Sequence, residues 1–462
     1  MTDTNTGQVR WWLSSADRTN LLTEQTPLEL ESEAGSGEVD EFVVQVDTAQ
    51  RFQEIEGFGA SFTDTATWIL QNRLTPSARA SLLAEWLDAE TGIGLSFFRQ
   101  PIGATDIALD YYSLAETSDD FELDRFTLEH DEEYLIPTLQ EVLRLVPEAT
   151  IVATPWSPPA WMRTDNSMRA SAGGVLREDC YDVYARYLSA FVREYGARGI
   201  SIRYLTAQNE PLYQPNYPGM LMTAEHQARF IGGHLGPWLA RESPTTSILT
   251  LDENWSQVEY AASVLEDAAA APYISGTAFH RYAGNASVGT TLHEQFPNKD
   301  VYLTEAATDA TISLSFLVHN VIIGSLRNWA KCVVLWNLLA DEWNGPYLEP
   351  GGCAICRPVT SLRDADGGWH HNDDYYAIGH VAKFVRPGAT RIGSTENSYS
   401  TISNVAFENL DGTLVLLACN QGMTPHDLRV SCAGTEFSAR LESGATATFV
   451  WSPFTSTPTT HS

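Results

Sequence analysis

Two glutamates stand at the ends of apolar runs. Glu210 follows residues 202–207 within Asn209-Glu210-Pro211, and Glu305, 95 residues later, closes another run. Cleavage of a glycosidic bond with retention needs one carboxyl group to protonate the leaving oxygen and a second, about 5 Å away, to attack the anomeric carbon. Acids so distant in sequence meet only where a fold gathers strand ends. A parallel barrel does this, because its active site collects residues from the C-terminal ends of several strands. Glycoside hydrolysis is therefore the first hypothesis.

Such a barrel is legible in the chain. Eight short apolar or β-branched runs recur in order at 55–63, 95–103, 150–157, 202–210, 247–255, 274–282, 300–305 and 331–337, most of them closing on polar or aromatic residues. Stretches with helical periodicity lie between them, at 76–90, 132–145, 179–197, 224–240, 257–270 and 313–329. Thr75-Pro76 and Thr223-Ala224-Glu225 read as helix starts, with a capping threonine and, in the first, proline at the first helical position. Strand and helix alternating through most of a chain predict an α/β fold, here a (β/α)8 TIM barrel.

Two flanks remain. Strand-like pieces occur at 9–13 and 42–46, and again at 401–407, 414–419, 428–430 and 445–451, separated by turn signals such as Asp411-Gly412. The expected organisation is N-terminal strands over 1–50, a catalytic barrel over 51–387 and a C-terminal β-sandwich over 388–462, the first group joining the last. A polar tail at 455–462 is expected to fray.

Charge narrows the function. With 28 basic and 59 acidic residues the chain carries a formal charge of -31, which repels nucleic acid and anionic membrane surfaces. The opening residues 1–6 have neither a basic nor an apolar region, so no secretory leader is read and a cytoplasmic location is expected, or secretion if a leader has been removed. No apolar run approaches the roughly 20 residues of a membrane span. Nothing in the sequence sets an oligomeric state.

Six cysteines demand no disulfide framework. Cys353-Ala354-Ile355-Cys356, a single C-x-x-C in a loop, reads as a loop-structuring pair, reduced or bridged, rather than a zinc site. Gly57-Phe58-Gly59 opens like a dinucleotide fingerprint, but Phe62 stands where its third glycine belongs.

The ordered motifs from Gly57-Phe58-Gly59-Ala60-Ser61-Phe62-Thr63-Asp64 through Arg99-Gln100-Pro101, Thr154-Pro155-Trp156-Ser157-Pro158-Pro159, Gln208-Asn209-Glu210-Pro211, His280-Arg281-Tyr282 and Thr304-Glu305-Ala306 resemble glycoside hydrolase family 30. That family includes glucosylceramidase and endo-β-1,6-glucanase. The resemblance implies a retaining enzyme with Glu210 as acid/base and Glu305 as nucleophile. It further implies that Asn209 bonds the sugar 2-hydroxyl, that Asp64 and Trp156 hold the far hydroxyls of the first sugar, and that Trp336 lies beneath it. Tyr282 matches a tyrosine near the nucleophile, with His280 its neighbour, and Arg99 is placed to favour the charge on Glu305; all three are read as substrate-binding residues.

Asp64 and Trp156 point to a hexose and thus a β-glucoside. Without a basic amphipathic segment for a bilayer, a soluble β-1,6-glucan or gluco-oligosaccharide is preferred over glucosylceramide. β-Xylosides and β-fucosides stand as further alternatives within the family, and a non-catalytic carbohydrate-binding protein outside it. No cofactor or metal is expected, since protonation and attack need only the two acids. Glu253 is read as a substrate or loop contact, and Trp161, Trp255 and Trp343 as outer-subsite residues or packing under loops.

Overall fold

Each of the eight runs forms a strand in the computed structural model, which describes residues 7–32, 42–396 and 401–452. The strands are β1 (Gly57–Ser61), β2 (Phe97–Ile102), β3 (Thr150–Pro155), β4 (Tyr204–Thr206), β5 (Ser247–Asn254), β6 (Ile274–His280), β7 (Asp300–Glu305) and β8 (Ala330–Asn337). All neighbours are parallel and β8 returns to β1, closing the barrel. Phe97, Val152, Tyr204, Leu249, Ala278, Tyr302 and Val334 fill the interior as one buried cluster, so the barrel is a packed core that presents chemistry only at its strand ends. The opening hexapeptide and the tail at 455–462 lie outside the described residues.

The glycines of β1 have a packing role. A Cβ on Gly59 would fall 1.9 Å from the Phe97 carbonyl oxygen. Only glycine lets β1 and β2 approach this closely, which accounts for the glycine-rich start without any phosphate.

The capping threonines behave as their sequence predicts: Thr75 and Thr223 accept from the backbone N–H groups of Ala78 and His226. Two helices differ from the reading as unbroken segments. The stretches 224–240 and 313–329 each contain a π turn, at Ile231–Leu235 and Leu317–Ile323. In the first, Gly232 and Gly236 lie against Ala269 and Tyr273 too closely for any Cβ, so docking on neighbouring loops, not the hydrophobic period, shapes that helix.

Strands from both flanks share one 11-stranded sheet, folded as a β-sandwich beside the barrel. Gln8–Ser14 pairs with Thr446–Trp451, and the long strand Phe42–Glu54 runs antiparallel to Thr390–Ser394 and parallel to His426–Cys432. Val44, Leu416, Leu428, Phe437 and Phe449 form its core. Buried His380 ties the two bodies together, bonded to Ser14 and Thr448 of the sandwich at 2.9 Å each. After β8, a small sheet of Leu339–Asp341, Thr360–Leu362 and Trp369–His371 supports the loop that carries Cys353 and Cys356.

Candidate active site

Glu305 is the last residue of β7, in register with His280 at the end of β6. It accepts hydrogen bonds from the Arg99 guanidinium and, at 2.6 Å, from the Tyr282 hydroxyl. Glu210 lies past the end of β4 with φ of 41°, a left-handed conformation costly for glutamate. Its N–H donates to the Asp252 carbonyl at 2.8 Å and its carbonyl accepts from the Tyr213 N–H at 3.0 Å, which together hold it there. Carboxylate oxygens of Glu210 and Glu305 and a ring nitrogen of His280 all lie within 4.8 Å of one another.

Beneath the pair is a buried charge network centred on Asp252, in β5. Its carboxylate accepts from Arg99 Nη2 and from the Thr206 and Thr304 hydroxyls, each at 2.8 Å, and from His280 Nε2 at 3.0 Å. Arg99, Asp252 and His280 are fully buried, so each charge depends on the others for compensation. Arg99 also donates to Asn209 Oδ1 at 2.8 Å, which fixes the amide so that its NH2 group faces the cleft. Arg99 and His280, expected to touch substrate, instead lie behind the carboxylates and position them.

The network divides the protonation states. Burial opposes charge on Asp252, yet Arg99 and then His280 hold its carboxyl below the ordinary carboxylate range. Burial likewise opposes a charged His280, but the Glu305 charge and the hydrogen bonds to Asp252 and Glu210 raise it to about 10. Glu210 is pushed up to about 7 by burial and by the Glu305 charge, against the lowering hydrogen bond from His280. At neutral pH the imidazolium thus donates from both nitrogens, to Asp252 and at 3.2 Å to Glu210 Oε1. A protonated imidazole has no lone pair for a metal, so Glu210, His280 and Glu305 serve proton transfer better than cation binding despite their proximity.

Removing the centre of this network is expected to be costly for stability. Asp252→Asn leaves two buried cations facing one remaining anion, and a loss of about 3 kcal/mol or more is expected, read by denaturant or thermal unfolding. An unfolding midpoint equal to wild type would show that the network does not hold the barrel mouth together.

The cleft above has a volume of about 390 Å³. Trp156 and Trp336 form its floor, stacked with centroids 4.9 Å apart, and the Arg99 guanidinium lies 4.7 Å from the Trp156 ring. Tyr282 lines one side, 40% exposed. The remaining carboxylate in the cleft is Asp106, in the loop after β2. Burial, then the charges of Glu305 and Glu210, push it to about 8 against a hydrogen bond with Trp336. At neutral pH it is a proton-bearing acid able to donate to a sugar hydroxyl.

Asp64 is placed differently from the expectation that it holds those hydroxyls. Thr63 caps the helix Asp64–Asn72 and Asp64 is its first residue. Its oxygens accept from the Leu109 N–H at 2.9 Å and the Tyr134 hydroxyl at 2.8 Å, and bond His130 at 2.8 Å, leaving it 2% exposed and away from the cleft lining. Asp64 therefore anchors the loop that delivers Asp106. Asp106 and Asp252 escaped the sequence reading; Asp252 is an acid at the end of a barrel strand, the signal that singled out Glu210 and Glu305, whereas Asp106 lies in the loop beyond β2, where no apolar run marks it.

Other readings resolve locally. Glu253 bonds the N–H and amide of Asn254, a loop contact. Trp161 donates to the Ala115 carbonyl and is buried, as is Trp255, whereas Trp343 is exposed outside the cleft. Cys353 and Cys356 are bridged, and their disulfide forms part of the cleft wall.

Residues 55–385 match the model of the glycosyl hydrolase family 30 TIM-barrel domain, and residues 388–449 that of the family 30 beta sandwich domain. The chain belongs to glycoside hydrolase family 30. It is 30% identical to an endo-1,6-beta-D-glucanase of Neurospora crassa over 90% of this chain and 88% of the relative. It is 28% identical to the lysosomal acid glucosylceramidase of Mus musculus over 87% and 82%. Among solved structures, an endo-beta1,6-glucanase superposes with a TM-score of 0.87 at 29% identity, covering 97% of this chain and all of that one. The SrfJ protein of Salmonella typhimurium does so at 0.90 and 27%, with the same coverage. As a family 30 member the protein is a glycoside hydrolase, with the TIM barrel and β-sandwich of its family. Among the described residues, no helix is long and apolar enough to cross a membrane.

Proposed function

We propose that this enzyme cleaves β-glucosidic bonds of β-1,6-linked glucan with retention, using Glu210 as acid and base and Glu305 as nucleophile. The observation that carries the mechanism is the approach of the two carboxylates to within 4.8 Å. Retaining enzymes place them about 5 to 5.5 Å apart, whereas inverting enzymes leave about 6.5 to 9.5 Å for a water. With one oxygen of each within 4.8 Å of the other, the pair favours the retaining arrangement.

The chemistry runs in two displacements. Glu210 gives its proton to the glycosidic oxygen while a Glu305 oxygen attacks the anomeric carbon, with Arg99 and Tyr282 holding the attacking carboxylate in place. Bond formation removes the Glu305 charge, which had helped raise Glu210. Glu210 is then a carboxylate stabilised by the His280 N–H, and it takes a proton from the water that releases the sugar. Asn209 offers its NH2 group to the 2-hydroxyl and Asp106 its proton to a hydroxyl across the ring.

The sign of the pH dependence follows from Glu210. Its proton is present below about 7 and lost above it, so kcat/KM is expected to fall about tenfold per pH unit on the alkaline side. A rate holding level up to pH 9 would remove Glu210 as the acid.

Support for the substrate comes from relatives named endo-1,6-beta-D-glucanase, matched over most of both chains. The net charge of -31 opposes approach to an anionic bilayer, which weighs against a membrane glucoside. The test is product analysis over time on a β-1,6-linked glucose tetramer, with NMR of the first-formed anomer. Early di- and trisaccharides mean internal cleavage, and glucose alone means release from the end. No cleavage rejects β-1,6-glucan in favour of glucosylceramide, β-xylosides or β-fucosides, and a first-formed α anomer rejects retention.

A further inference from the structure

We propose that Tyr213, on the turn that follows Glu210, is the platform for the leaving-group sugar and makes the enzyme prefer a saccharide over a small leaving group. The inference rests on the reading of Glu210 as the acid. A proton donor must lie beside the oxygen it protonates, so the departing sugar occupies the Glu210 side of the cleft, away from Glu305.

The structure puts an aromatic ring there. The Tyr213 N–H donates to the Glu210 carbonyl at 3.0 Å, and the Met222 N–H to the Pro211 carbonyl at 2.8 Å, so the turn carrying the ring is anchored to the acid itself. Tyr213 lines the cleft yet is 53% exposed, and its hydroxyl has no hydrogen-bond partner among the described residues. Tyr217 meets it edge-on, with centroids 6.4 Å apart, and packs in turn against the cluster of Trp156 and Trp336, on which Cys353 and Cys356 also rest.

The other cleft aromatics are already engaged. Trp156 and Trp336 stack on each other under the sugar being attacked, and the Tyr282 hydroxyl both donates to Glu305 and accepts from the Ala307 N–H. Tyr213 has an open face, and pyranose C–H groups pack well on such a face. A rigid ring with two side-chain torsions costs little entropy when it binds.

The experiment compares wild type, Tyr213→Ala and Tyr213→Phe on two substrates, a β-1,6-linked glucose tetramer and β-glucosyl fluoride, whose leaving group is one atom. Tyr213→Ala is expected to lose about tenfold more kcat/KM on the tetramer than on the fluoride, mainly through KM, with Tyr213→Phe retaining most of the wild-type ratio. Equal losses on both substrates overturn the proposal, and so does a phenylalanine variant as impaired as the alanine one. Should wild type hydrolyse the fluoride but spare the tetramer, the substrate reading alone has failed. The platform is then read from glucosyl transfer out of the fluoride onto a disaccharide acceptor, relative to hydrolysis. A drop of about tenfold in that ratio for Tyr213→Ala upholds it, and an unchanged ratio overturns it.

Discussion

Replacing Glu305 by glutamine is expected to lower kcat by on the order of 10⁵-fold, in the range found when a catalytic nucleophile is removed. That corresponds to about 7 kcal/mol of transition-state stabilisation, at about 1.4 kcal/mol per factor of ten. The amide keeps the shape of the side chain: its one oxygen can still accept from Arg99 and its NH2 can donate to the Tyr282 hydroxyl oxygen, while Arg99 keeps its bond to Asp252. Folding should therefore survive, and the loss reports chemistry. A 2-deoxy-2-fluoro β-glucoside, which slows release of the glycosyl-enzyme, should add one fluoroglucosyl mass to the Glu305 peptide of wild type and none to the variant. A label on any other carboxylate, or a kcat within tenfold of wild type, would sink Glu305 as nucleophile.

Glu210→Gln has a different signature. On saccharides, whose leaving oxygen needs a proton, kcat/KM should fall by about 10³-fold. On a 2,4-dinitrophenyl β-glucoside, which departs without protonation, the first displacement should be nearly spared and the second should become limiting. Azide needs no base, so adding it should restore turnover and yield β-glucosyl azide. The alkaline limb near pH 7 should vanish with the carboxyl responsible for it. Equal loss on both leaving groups would show that the substitution damaged the cleft rather than removed an acid.

Tyr282 and His280 carry a lesson about such assignments. Both were placed near the nucleophile by motif, and both are there. Tyr282 reaches the cleft and bonds Glu305, but His280 is fully buried and acts through Glu210 and Asp252. Spacing along a strand shows which residues arrive at a strand end. It does not show which side of the carboxylates they occupy.

What the chain declared on its own rests on local physics. Apolar runs of strand length, helical periodicity between them and capping threonines are imprinted by neighbours a few residues apart, so the eight strands and most helices could be placed by reading. The two glutamates stood out for the same reason, each ending such a run. Tertiary structure decided the rest. The bonds from Arg99 to Asp252 and Glu305 span 153 and 206 residues, and no local pattern foretells them. Asp64 lies in a motif that resembled a sugar contact, yet its place as the first residue of a helix turned it towards His130 and Tyr134, and Asp106 came into the cleft instead. The π turn at Ile231–Leu235 arose where a neighbouring loop pressed on glycine. Periodicity states which face of an element is apolar, whereas the partners of a buried charge are set by whichever strands the barrel brings alongside, and only the closed fold specifies them.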